Sequence, residues 1–287
     1  MTKIINDIIL VPVDFTETTL HAVKYAVNIA DKSPRNFKIM LLHVINKESR
    51  SKLKKESQGL ETIFEDLKRI KTSIQKEFMI EVDYIAKEGS IFEVIQEVAT
   101  NIGASLMVVG THGKKGLQHL FGSYAFRVVA QSPCSVIVIQ NDTPIPQEIG
   151  KVMFPVNIFT EPRQQVQHAI RMANNLGARI IIYTQRFGDD AANYKVKVIT
   201  NQIENAFSHS NVQYEIASAE KKANFAEQLI EASKDFGVDL ILMMTDSSIT
   251  APDFNNSSWS ESLIFNKAAI PVMCINPIYL GEIYYGL

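Results

Sequence analysis

Short apolar runs rich in β-branched residues alternate with amphipathic segments along the whole chain. Such runs predict strands buried on both faces, and apolar residues at three- and four-residue spacing predict helices. In the first half, strands are predicted at residues 3–13, 37–45, 81–86, 106–109 and 135–139, and helices at 18–30, 52–78, 91–101 and 123–131. Because strands alternate with helices, we expect an α/β fold with a parallel sheet covered on both faces.

The second half of the chain repeats this pattern. Residues 151–157 match residues 8–14, and the later strands and helices follow in the same order. Residues 142–148 contain Pro144 and Pro146 and are predicted to be a linker. The sequence therefore predicts two tandem five-stranded parallel-sheet domains, residues 1–141 and 149–277, with a C-terminal tail of residues 278–287.

A glycine-rich segment, residues 109–124, follows the fourth predicted strand and leads into a helix. Glycine lets the backbone approach a ligand closely, and the helix start at Gly122 and Ser123 offers N–H groups to an anion such as phosphate. Taken alone, the segment fits an ordinary loop with a helix cap equally well. Asp14 and Val44 also end predicted strands, and ligands of such sheets bind outside the carboxyl ends of the strands.

The second copy lacks key features of this segment. Asn157 stands in place of Asp14, and Met244 stands in place of Gly110. The side chain of Met244 then occupies a position where bare backbone is needed. We expect one competent site, in the first domain, and a degenerate second domain.

Composition narrows the class of partner. The chain has 46% hydrophobic and 21% charged residues and a net charge of −2, so nucleic acid is not an expected partner. No apolar run reaches membrane-spanning length, and the first residues lack a signal-peptide pattern, so we expect a cytoplasmic protein without a membrane partner. With two cysteines and no Cys/His cluster, no metal site is expected.

Three motifs carry a resemblance to a known family: Pro12-Val13-Asp14-Phe15, Leu42-His43-Val44, and Gly110-Thr111-His112-Gly113 followed by Gly122-Ser123. They resemble the universal stress protein (UspA-like) family, here as a tandem pair with the Rossmann-like fold of adenine nucleotide alpha hydrolases. The resemblance implies that Asp14 and the backbone at Val44 hold adenosine, while the glycine loop holds phosphates. The implied cofactor-binding residues are Pro12, Val13, Asp14, Val44, Val109, Gly110, His112, Gly113, Gly122, Ser123 and Tyr124.

The glycine spacing departs from the family pattern G-x2-G-x9-G-[S/T]. Only eight residues lie between Gly113 and Gly122, so the choice among ATP, ADP and AMP stays open, as does a companion Mg²⁺. His43 is expected to be a hydrogen-bonded core residue rather than a ligand. The family also implies antiparallel pairing of the last strands, Val136 to Ile139 with Val272 to Ile275, and leaves a homodimer open.

Two functions from different classes fit these observations. The first is a stress-response regulator that binds an adenine nucleotide in the N-terminal domain. The second is a scaffold that binds a partner protein or a small apolar ligand and no nucleotide. Enzymatic activity stays open. The sequence lacks a Walker A motif, and it lacks the HIGH and KMSKS signatures of nucleotidyl-transferring enzymes with a similar fold. No catalytic residue is therefore assigned, and at most slow ATP hydrolysis is expected.

Overall fold

The computed structural model describes residues 7–111, 127–158, 160, 162–220, 224–245 and 258–276. The chain divides into two compact units, one of Met1–Glu148 with Ile264–Val272 and the other of Ile149–Leu263 with Met273–Leu287. Among the described helices, none is long and apolar enough to cross a membrane.

The described residues of the first unit form an α/β unit with five strands. Its elements are β1 (Asp7–Pro12), α1 (Glu17–Lys32), β2 (Phe37–Ile45), α2 (Lys47–Lys55), α3 (Glu61–Glu77), β3 (Glu81–Glu88), α4 (Ile91–Asn101), β4 (Leu106–Thr111) and β5 (Ser135–Gln140). The strand order is β3-β2-β1-β4-β5, and the neighbouring strands run parallel. The predicted α/β fold with a parallel sheet is confirmed.

The second unit has the same strand order. Its elements are β6 (Lys151–Val156), α5 (Pro162–Leu176), β7 (Arg179–Thr184), α6 (Asp190–His209), β8 (Tyr214–Ser218), α7 (Phe225–Asp235), β9 (Leu240–Met244), α8 (Ser258–Ile264) and β10 (Val272–Ile275). The order β10-β9-β6-β7-β8 matches β5-β4-β1-β2-β3, and β6 pairs in parallel with β7 and β9. The internal repeat in the sequence thus corresponds to a repeat in topology.

The core of each unit lies on both faces of its central strands. Ile9, Leu10 and Val11 of β1 are fully buried, as are Val152 and Met153 of β6. Burial on both faces explains why these strands are continuous apolar runs rather than alternating ones.

The long helix predicted over residues 52–78 is wrong, because the structure has two helices there, α2 and α3. Ser57 adopts a left-handed conformation with a φ of 54°. The Gln58 N–H donates to Leu53 O at 2.9 Å, and the Ser57 N–H donates to Lys54 O at 3.3 Å. These two bonds form a Schellman motif, which ends α2 because it satisfies the last carbonyls of the helix.

The Schellman motif leads to a stability prediction at Ser57. In the left-handed region the Cβ atom of serine is sterically strained, whereas glycine has no Cβ atom and adopts this conformation freely. We expect Ser57→Gly to raise the free energy of unfolding by roughly 0.5–1 kcal/mol, measured by urea denaturation followed by circular dichroism. The control is Ser51→Gly inside α2, which should lower stability; a loss of stability from both substitutions would contradict the assignment.

The side chain of His168, on α5 in the second unit, is half-buried and has an unusual pKa. Burial, helped by nearby Arg171, lowers the pKa of His168 from 6.5 to about 4. The unfolded chain therefore binds this proton more readily than the folded chain does. The contribution of neutral His168 is complete above pH 6.5 and is lost as the pH falls toward 4.

We expect His168 to make the protein sensitive to mild acid. Between pH 7.5 and pH 4.5 this residue should remove about 2 kcal/mol from the free energy of unfolding. The measurement compares urea denaturation of wild type and His168→Gln at both pH values. The pH-dependent loss should be smaller in the variant by that amount, and equal losses in the two proteins would refute the prediction.

Candidate functional site

A cavity of about 340 Å³ lies at the carboxyl ends of β1, β2 and β4 in the first unit. This volume is within the roughly 300–1,000 Å³ range of small-molecule sites. The strand ends supply one wall, and residues of α2, α3 and α4 supply the others. The position agrees with the sequence-based expectation of a site outside the carboxyl ends of the strands.

Six of the predicted site residues line this cavity: Pro12, Val13, Asp14, Val44, Val109 and Gly110. The other five, His112, Gly113, Gly122, Ser123 and Tyr124, lie outside the described residues. The structure therefore brings together six of the predicted residues, among them Asp14 and Val44, which the resemblance assigns to adenosine.

The carboxylate of Asp14 is held at the start of α1 by threonine side chains and backbone. Its Oδ1 atom accepts hydrogen bonds from Thr16 N at 2.9 Å, Thr16 Oγ1 at 2.6 Å and Thr19 Oγ1 at 2.7 Å. Asp14 is nevertheless solvent-exposed at the edge of the cavity. An oriented, exposed carboxylate is suited to accept hydrogen bonds from hydroxyl groups of a ligand.

The main chain of Val44 presents a donor and an acceptor to the cavity. Leu42 O accepts from Val13 N at 2.8 Å, so the N–H and C=O groups of alternate residues on β2 face β1. Ile45 O accepts from Gly89 N at 3.3 Å, so the main-chain groups of His43 and Ile45 face β3. The N–H and C=O of Val44 therefore face the side where β1 has already ended, and neither has a hydrogen-bond partner among the described residues.

His43 lies in the wall of the cavity and is 4% exposed. Its Nδ1 atom is 2.8 Å from Val13 O, and because a carbonyl only accepts, Nδ1 carries the hydrogen. The ring of Phe15 stacks on the imidazole with a centroid distance of 4.8 Å and an interplanar angle of 18°. Burial lowers the pKa of His43 below its ordinary value of 6.5, which favours the neutral ring. The prediction of a hydrogen-bonded core histidine is confirmed.

Gly110 is a strand residue and not a loop residue, because β4 continues to Thr111. A Cβ atom at Gly110 would lie 2.7 Å from Thr18 O and 3.1 Å from Thr18 Cγ2. The close neighbour that requires glycine here is therefore the backbone of α1. Packing of α1 on β4 accounts for this glycine whether or not a ligand is bound.

Sequence reasoning missed the side of the cavity formed by α2 and α3. Asn46, Ser49, Lys52, Gln58 and Asp66 line this side. Asn46 and Ser49 form a capping box, in which Asn46 Oδ1 accepts from Ser49 N and Ser49 Oγ accepts from Asn46 N, both at 2.8 Å. The available signal was the Ser57-Gln58-Gly59 triplet, which interrupts the apolar stripe of the predicted long helix.

In the second unit, Asn157 occupies the position of Asp14. It is 7% exposed, and its N–H donates to Thr160 Oγ1 at 2.8 Å. This side chain is buried in the protein, whereas Asp14 is exposed at the cavity edge. The two units thus differ in the exposure of the side chain at this position.

Comparison with known proteins supports the fold and identifies the family. The structure of a universal stress protein from Archaeoglobus fulgidus matches with a TM-score of 0.71 at 16% identity, covering 94% of this chain and 98% of that chain. The shared fold and the cavity at its strand ends define a Rossmann-like α/β protein.

Sequence comparison is more specific. A family model described as the universal stress protein family matches residues 6–140. A universal stress protein of Methanocaldococcus jannaschii is 31% identical over 145 residues, which are 46% of this chain and 81% of that protein. Universal stress protein A homolog 2 of Coxiella burnetii is 33% identical over 79 residues, which are 27% of this chain and 54% of that protein. This chain belongs to the universal stress protein family.

The contact between Gly110 and α1 leads to a prediction. We expect Gly110→Ala to lower the free energy of unfolding by about 1–3 kcal/mol, because the new methyl group would overlap a backbone oxygen that cannot move without displacing α1. The control is Gly188→Ala, where an added Cβ meets no atom within 4 Å. Urea denaturation of both variants is the measurement, and equal stability of the two would refute the packing argument.

Proposed function

We propose that the first unit binds an adenine nucleotide, ATP, ADP or AMP, and that the chain acts in the cytoplasm as a stress-response regulator through its nucleotide-bound state. The cavity has a suitable volume, and it combines an apolar wall with a few polar groups, as small-molecule sites do. The second unit, in which asparagine replaces the site aspartate, is proposed to bind no nucleotide.

The observation that carries this proposal is the main chain of Val44 beside the carboxylate of Asp14. Adenine has a 6-amino donor next to a ring-nitrogen acceptor, and this pair matches the C=O and N–H of one extended residue. Asp14 lines the same cavity, and its exposed carboxylate would accept hydrogen bonds from ribose hydroxyls. The glycine loop would then receive the phosphates, as the family resemblance implies.

A second candidate is an apolar ligand without phosphate. Leu53, Ile63, Ile91, Ile95 and Val128 line the part of the cavity between α2, α3 and α4. This apolar wall would hold a hydrophobic ring or chain as well as it would hold a purine. The two candidates differ in their dependence on Asp14, because an apolar ligand gains nothing from a carboxylate.

Isothermal titration of the purified protein with AMP, ADP and ATP tests the proposal. We expect saturable binding to one site per chain, and Asp14→Ala should weaken the affinity by roughly tenfold, which corresponds to about 1.4 kcal/mol. The matched control is Asn157→Ala in the second unit, which should leave nucleotide affinity unchanged.

The fold of each variant is checked by circular dichroism, because Asp14 also binds the start of α1. The absence of heat with millimolar nucleotide would overturn the proposal. Binding of a hydrophobic probe such as anilinonaphthalene sulfonate that does not change in Asp14→Ala would then favour the apolar-ligand candidate.

A further inference from the structure

The two units differ at one hydrogen bond of the sheet. In the second unit, Gln185 N donates to Val156 O at 2.8 Å, which extends the ladder between β6 and β7 by one step. The aligned residues in the first unit are Val44 and Val13, since Pro12 pairs with Leu42 and Pro155 pairs with Tyr183. No such bond joins Val44 N to Val13 O, although both residues are described.

In the first unit, the carbonyl that this bond would use accepts a hydrogen bond from a side chain instead. Val13 O accepts from His43 Nδ1 at 2.8 Å. The residue of the second unit that aligns with His43 is Thr184, whose Oγ1 lies 2.8 Å from Ser218 Oγ and 3.3 Å from Ala217 O of β8. Val156 O therefore accepts from the main-chain N–H of Gln185, and the β6–β7 ladder continues by one more hydrogen bond.

Phe15 contributes to the same gap in the hydrogen bonds between β1 and β2. In an unbroken ladder the C=O of Val44 would accept from the N–H of Phe15. Phe15 instead has a φ of 66°, which turns the chain away from β2 after Asp14. Its ring stacks on His43, so the imidazole and the left-handed residue hold each other in place.

We infer that His43 is a positioning residue for nucleotide recognition: by binding the Val13 carbonyl it stops the β1–β2 ladder one step early and keeps the Val44 N–H available to the ring nitrogen beside the 6-amino group of adenine. This inference rests on the proposed function for its ligand and on the sheet geometry for its mechanism. His43 itself does not touch the ligand in this role. Its buried Nε2 atom has no hydrogen-bond partner among the described residues, which agrees with a neutral ring that works through Nδ1 alone.

The first experiment needs no nucleotide. Amide hydrogen exchange is measured residue by residue for Val44, with Gln185 as the internal reference. In wild type, Val44 should exchange at least tenfold faster than Gln185, because only Gln185 donates to the opposite strand. In His43→Thr, which installs the residue of the second unit, Val44 should become protected by about tenfold as the ladder closes.

The second experiment uses AMP and two analogues, 1-deaza-AMP and 7-deaza-AMP, each of which lacks one ring-nitrogen acceptor next to the 6-amino group. Wild type should lose roughly tenfold in affinity for one of the two analogues relative to AMP. His43→Thr should bind AMP more weakly and should no longer discriminate against that analogue. His43→Asn, whose Nδ2 is placed like the imidazole Nδ1 and donates, should restore the discrimination.

A general loss of packing at His43 would lower affinity for all three nucleotides equally, so the discrimination ratio separates positioning from packing. The inference is overturned if Val44 is already as protected as Gln185 in wild type, or if His43→Thr keeps the wild-type ratio. If AMP does not bind wild type while Val44 exchanges as expected, the proposed function is overturned and the effect of His43 on the ladder is supported.

Discussion

The hydrogen bond from the His43 imidazole to the Val13 carbonyl determines where the sheet of the first unit ends. It joins residues that are 30 positions apart in the sequence. Val13 O accepts from this side chain and not from the Val44 N–H, so the β1–β2 ladder ends at Leu42 and the next donor and acceptor on β2 face a cavity. The cavity, the exposed Asp14 and the left-handed Phe15 all lie next to this one contact.

The repeat provides an internal comparison for this constraint. Both units have the same strand order, and the proline before the critical carbonyl is present in both, as Pro12 and Pro155. With Thr184 in place of histidine, β6 continues to Val156, one residue further than β1 continues in the first unit. Two copies of one topology therefore differ at one ladder bond: a histidine side chain donates to the carbonyl in the first unit, and the main chain donates to it in the second.

The opposite wall of the cavity depends on a helix that ends early. No residue of α2 is buried, so its position comes from the capping box at Asn46 and the Schellman motif at Ser57 rather than from the core. The break directs α3 against the sheet while α2 stays over the strand ends, where Ser49 and Lys52 line the cavity.

The sequence by itself determined the strands, their parallel arrangement and the carboxyl ends of the strands as the place where the cavity lies. These features follow from local periodicity. A short apolar run such as residues 106–109 predicts a strand that is buried on both faces, and this prediction needs no knowledge of distant contacts. The tertiary structure alone decided that Gly110 is required by the backbone of Thr18, that α2 and α3 wall the cavity, and that the Val44 amide has no strand partner among the described residues. Each of these depends on contacts between different segments of the chain. A hydrophobic pattern carries no information about which distant donor forms a hydrogen bond with a given carbonyl.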